Sequence, residues 1–165
     1  MTSVFTVGVS NLLPNTTYSY VAFATNSAGI GYSTVDSFIT PADFASWQVT
    51  WYGSTTISNA TDNADPYNTG VPNIEVFAFL GPYQDPQTAS ISQLPQFQLS
   101  SGNLYYDFFE PDGVSGVTYG AQMCTDLGAG NWQPVPDTGL GTEHIFSIPV
   151  DANPQAFIRL TLTTQ

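Results

Sequence analysis

From residue 87 to its end the chain is written in short runs of β-branched and aromatic residues, with glycine and proline between the runs; only Gly120 and Pro149 fall inside one. That punctuation leaves few folds open. A helix needs about ten uninterrupted residues at a 3.6 period, whereas runs of about four to eight residues bounded by turn formers read as strands. The runs are 97–99, 104–109, 117–125, 144–150 and 157–163. Ser100-Ser101-Gly102-Asn103 separates the first two as a hairpin signal, and Val117, Tyr119, Ala121 and Met123 alternate toward one face. The expected fold class is mainly β, with residues 87–165 forming an antiparallel β-sandwich domain.

Composition fixes what such a domain can meet. The chain has 165 residues, 42% of them hydrophobic, so it can bury a sizeable core. Charged residues are 8% of it, against about a quarter in ordinary soluble domains. There is no lysine and a single basic residue, Arg159, and the net charge is -12. Nucleic acid is excluded as a partner, because affinity for a phosphate backbone comes from Lys and Arg displacing counterions. Anionic membrane surfaces are excluded on the same ground, and no run of about 18 apolar residues offers membrane insertion. Thr, Ser, Asn and Gln fill the wet positions instead, a style of surface expected of a secreted, extracellular protein. The first residues carry no basic, cleavable leader, so a secreted chain of this kind is read as a mature piece or a fragment with an added Met1. Cys124 is the only cysteine, which leaves apolar burial rather than an internal disulfide to hold the fold.

Residues 1–40 read as three further strands, 4–9, 18–24 and 33–40, with a turn over 26–31. Leu12-Leu13-Pro14-Asn15-Thr16-Thr17-Tyr18, followed by Ala24-Thr25-Asn26-Ser27-Ala28-Gly29, resembles the second half of a fibronectin type III domain, strands E, F and G. That resemblance implies a tyrosine corner at Tyr18, with Pro14 and Asn26 shaping the flanking turns. Three strands alone leave an apolar face and an edge uncovered. An arbitrary boundary accounts for that, and so does strand donation by another chain or by the second domain.

Residues 41–86 read as a helical linker. Thr40 suits an N-cap, Pro41 the first helical position, and Phe44, Trp47 and Trp51 recur on one face up to Gly53. A second short helix is expected over 73–80. Between them lies Asp62-Asn63-Ala64-Asp65-Pro66-Tyr67-Asn68-Thr69-Gly70-Val71-Pro72-Asn73, which is similar to the calcium loops of thrombospondin type 3 and dockerin modules. Those loops place carboxylates at alternate positions around a glycine. Here the matching positions hold Asp65, Tyr67 and Thr69, while Gly70, Pro72 and Asn73 are kept and the late acid, Glu75, comes one residue early. Asp62, Asn63, Asp65, Asn68, Asn73 and Glu75 are the oxygen donors open to calcium. The alternative is a metal-free joint held by Asx turns.

The order of these pieces, ending in VTYGAQMCTDLGAGNWQPV and FIRLTLT, resembles the C-terminal regions of large secreted bacterial surface proteins of the autotransporter-associated kind. The resemblance implies a module of a cell-surface or filament assembly that self-associates or meets neighbouring modules, and it places Trp132 at a structural position.

Catalytic signals are poor. His144, the only histidine, alternates with Phe146 and Ile148 and reads as partly packed; Cys124 has no base spaced to it; no Gly-x-Ser-x-Gly elbow exists. Asp107 and Glu110 differ by three positions, so they point to opposite strand faces and read as solvated charges. The chain is therefore expected not to be an enzyme. Aromatic residues reach 14%, and Tyr52, Tyr67, Tyr83 and Tyr105 are the candidates for stacking on a surface glycan. Asn15 and Asn59 satisfy the N-glycosylation rule.

Overall fold

The computed structural model describes residues 5–150 and 155–165. The fold is mainly β and every strand pair is antiparallel. The N-terminal part is a two-stranded ribbon. β1 (Thr17–Tyr20) pairs with β4 (Asp36–Ile39), and β2 (Phe23–Asn26) with β3 (Gly29–Tyr32). The expected strand over 18–24 is thus broken in two. Between the Tyr20–Asp36 and Phe23–Tyr32 pairs, two residues oppose three, and this bulge bends the ribbon. Ser33 spans it by donating its N–H to the Ala22 carbonyl while its hydroxyl accepts from the Ala22 N–H.

The turn expected over 26–31 is shorter than the sequence suggested. The Asn26 side chain accepts from the Ala28 N–H at 2.8 Å, and Gly29, at φ 136°, lets β3 start at once. The strand expected over 4–9 is absent among its described residues, 5–9, and residue 4 lies outside them. A β-branched run becomes a strand only against a partner edge, and β1 to β4 pair with one another.

Thr40 ties the ribbon rather than capping the helix. Its hydroxyl accepts from the Thr16 N–H and donates to the Leu13 carbonyl. The cap of α1 (Phe44–Tyr52) is Asp43, whose carboxylate accepts from the Ser46 N–H at 2.8 Å while the Ser46 hydroxyl accepts from the Asp43 N–H. This reciprocal box satisfies two otherwise orphaned donors, a cap contributing about 1 kcal/mol. Gly53 ends the helix in the left-handed conformation, at φ 72°. The second helix is one turn of α2 (Asn73–Glu75) widening into a π-helical turn, Val76–Leu80.

Two clusters form the interior. The first joins α1 to the loop and the π turn through Phe44, Trp47, Val71, Val76, Phe77 and Ala89. Phe44 and Trp47 stack at 5.5 Å and both rings pack on Phe77. The second cluster holds two three-stranded sheets together. One has the order β5 (Gln98–Ser100), β6 (Asn103–Phe109), β9 (Glu143–Pro149); the other β10 (Phe157–Thr164), β7 (Val117–Cys124), β8 (Gln133–Val135). Phe108, Phe146 and Ile148 of the first meet Tyr119, Ala121 and Val135 of the second. Ala78 and Phe79 join this cluster, and the Tyr119 hydroxyl donates to the Ala78 carbonyl at 2.6 Å, so the helical region packs on the strands.

The two breakers inside runs have local reasons. A Cβ at Gly120 would lie 2.8 Å from the Thr161 hydroxyl across the ladder. Pro149 ends β9, an edge strand of its sheet beside β6.

Candidate functional site

The most unusual surface lies on the ribbon. Its four strands are almost wholly exposed, and no residue of it belongs to either core. Phe5, Val7, Val9, Tyr20, Val21, Phe23 and Phe38 line an apolar groove of about 860 Å³, with Val7 71% and Phe23 65% exposed. Each strand of a two-stranded ribbon also has one edge whose backbone groups lack a strand neighbour among the described residues. Asp36 is the only acid before residue 43, and the other twelve of the 13 lie beyond it, so the groove sits on the one nearly uncharged part of the chain. The ribbon's own order comes from polar ties. The Tyr18 hydroxyl accepts from the Leu13 N–H at 2.9 Å, a bond back to the preceding turn of the kind a tyrosine corner makes, and the Pro14 carbonyl accepts from the Thr16 hydroxyl at 2.8 Å.

The loop of Asp62 to Glu75 turns on itself. Both oxygens of the Asp65 carboxylate are engaged within it: Oδ1 accepts from the Thr69 N–H and hydroxyl, and Oδ2 from the Gly70 N–H at 2.7 Å. Burial pushes this carboxyl upward, but the N–H groups of Thr69 and Gly70 outweigh it and hold it below the usual range. Asn68 and Gly70, at φ 54° and 80°, make the turn. Asn73 is buried and points elsewhere, donating to the carbonyls of Asn59 and Thr61 and accepting from the Tyr52 hydroxyl at 2.6 Å. Asp62, Asn63 and Glu75 line a separate recess of about 270 Å³ with Phe79, Leu160 and Leu162, where burial raises the Glu75 carboxyl. Among the described residues, no three of the acidic, histidine or cysteine side chains are grouped to hold a metal ion. The structure therefore brings Asp65, Thr69 and Gly70 together and separates them from Glu75.

Of the four tyrosines, Tyr52 and Tyr67 lie near enough that, after burial, the Tyr67 phenol adds to the upward push on the Tyr52 phenol. Tyr83 is 70% exposed, Tyr67 less so, and no ring contact joins any two of the four among the described residues. Tyr105 donates to Gln98 Oε1 at 3.2 Å. Burial pushes the Tyr52 phenol up to about 12. Trp132 lies in neither core; the Arg159 guanidinium carbon sits 4.0 Å from its ring centroid, while Nε and Nη2 donate to Gln122 Oε1. Asn15 and Asn59 are both exposed.

One cluster was invisible in the sequence. His144 Nδ1 is 2.6 Å from Asp137 Oδ2 and Nε2 is 3.0 Å from Glu110 Oε1. Its ring packs at 4.6 Å from Tyr119 and 5.3 Å from Phe108. Glu110 is thus not a free solvated charge: it lies just past the end of β6 and turns onto the neighbouring strand. Asp107, by contrast, is exposed. Burial raises the Asp137 carboxyl, but His144 and the N–H groups of Gly139 and Ile145 outweigh it and hold it below the usual range.

No protein-family model, curated protein or solved structure matches this chain.

Proposed function

We propose that the chain is a non-enzymatic structural module of an extracellular surface or filament assembly, which associates by β-strand pairing and apolar burial at its N-terminal ribbon. The exposed apolar groove over a ribbon with no core beneath it among the described residues carries this reading. Soluble proteins seldom leave a contiguous apolar patch of this kind uncovered unless something binds there. The open edges offer backbone hydrogen bonds to an added strand, and the ribbon has no lysine to guard them. With one carboxylate on the ribbon and twelve beyond it, the acidic body stays remote from a contact made through the groove.

The test is sedimentation velocity across a wide concentration range, with an apolar dye in parallel. The expected result is concentration-dependent association and dye binding, both reduced by Val7→Asp with Phe23→Asp. Monomers throughout, with dye fluorescence indifferent to the substitutions, would sink the reading.

A further inference from the structure

The histidine cluster carries an inference of its own, because its hydrogen bonds cannot all be made without an extra proton. An ionised carboxylate only accepts, and a neutral imidazole offers one N–H. His144 nonetheless faces a carboxylate oxygen at each ring nitrogen, Asp137 at 2.6 Å and Glu110 at 3.0 Å. Both bonds require a proton on both nitrogens. With one proton gone, one of the two contacts sets acceptor against acceptor.

The surroundings decide which side yields. The ring is clasped by Phe108, Tyr119 and Phe146, and its side chain is 12% exposed, so it has little room to swing away. Asp137 is fixed: Oδ1 accepts from the Gly139 and Ile145 N–H groups, and the Thr138 N–H donates to the Ile145 carbonyl. The loop runs so close that a Cβ on Gly139 would collide with the Glu143 carbonyl and the His144 Cα. The Glu110 carboxylate has His144 as its only hydrogen-bond partner among the described residues. Glu110 is therefore the arm that lets go.

We propose that Asp137, His144 and Glu110 form a proton-operated latch, closed when both ring nitrogens carry a proton and opened on the Glu110 side when one is lost. The other titratable groups near the ring do not supply the change. The Tyr119 phenol on β7 is pushed upward by burial and then by the Glu110 charge, so it stays a neutral phenol beside the ring. Glu143 on β9, Asp107 on β6 and Asp112 beyond it are the neighbouring carboxylates, and none of the three bonds the ring; Arg159 on β10 is engaged with Trp132. Release acts on a joint of the fold. Glu110 opens the segment that carries Gly113 and Ser115, and these two bond both sides of Ala42, where the ribbon enters the body.

Amide exchange at Glu110 and Ser115, corrected for intrinsic rate, reads the latch, and nitrogen NMR of the single histidine reads its protons. Along a pH titration followed by that NMR signal, protection at Glu110 is expected to fall about tenfold, the scale of one charge-assisted hydrogen bond, at the step where the ring loses its second proton. In Glu110→Gln the side-chain amide can donate to a bare Nε2, so the dependence should flatten. Unchanged protection in the wild type through that step overturns the latch. So does the same fall in Glu110→Gln, or a ring with one proton while both contacts persist. The NMR measurement on the wild type needs no variant and stands if Glu110→Gln fails to fold.

Discussion

The ribbon and the body are built from the same kinds of residue and use them in opposite ways. Phe38, Phe23 and Tyr32 pair across the ribbon, as Phe108 and Tyr119 pair in the body, yet the former group is exposed and the latter buried. The difference is the second layer. In the body each apolar face meets another, β6 and β9 against β7 and β8, or α1 against the π turn. The ribbon has one layer among the described residues, and its order rests on hydrogen bonds that the hydroxyls of Tyr18, Thr40 and Ser33 accept from backbone N–H groups. Aromatic content alone thus does not make a core; a facing layer does.

The contrast is broken most severely by truncating rings on each side of it. Trp47→Ala or Phe77→Ala should destabilise the body by about 3–5 kcal/mol, since both side chains are fully enclosed. Phe23→Ala on the ribbon should stay within about 0.5 kcal/mol. Chemical denaturation of the three variants makes the comparison, and a ribbon effect as large as the core effect would mean that the two regions share one cooperative unit. Next, Gly139→Ala should cost about 1–3 kcal/mol by overpacking the loop against β9, read as a lower melting temperature.

A smaller effect is expected of Tyr18→Phe, which removes the bond accepted from the Leu13 N–H, worth about 1 kcal/mol. Faster exchange at Leu13 with an unchanged melting temperature would show that the ribbon opens by itself. The slightest effects are in pH. Asp137 is held low in the folded state, so its contribution is present above the ordinary value of 3.8 and lost as pH falls through its folded value. Glu75 is raised by burial, so its contribution is present below the ordinary 4.5 and lost as pH rises through its folded value. Glu75→Gln should therefore stabilise at neutral pH and change nothing in strong acid, and Asp137→Asn should do harm that fades in acid. Denaturation curves at several pH values separate the two.

Local signals explain what was legible. The hairpin of β5 and β6 was, because Ser101 and Gly102, at φ 51° and 73°, write their turn into the sequence. The inward set of β7 followed from parity, and the end of α1 from Gly53. The start of α1 was misread because Thr40 and Asp43 are both good caps, and long-range bonds to Leu13 and Thr16 claimed the first. The ribbon's bulge was missed because two residues opposing three has no composition. The latch was hidden most deeply: Glu110 and His144 are 34 positions apart, and only the pairing of β6 with β9 brings them together. Parity put Asp107 and Glu110 on opposite faces, but Glu110 has already left its strand.

Arg159 has a practical consequence. Trypsin-like proteases cut after a lysine or arginine that can enter a deep acidic pocket, and this chain offers them one such residue. That residue lies within β10, its backbone paired with Gln122 and its guanidinium laid on Trp132. The chain has no lysine and its one arginine is locked into a ladder, so the folded protein should survive digestion conditions that shred ordinary domains.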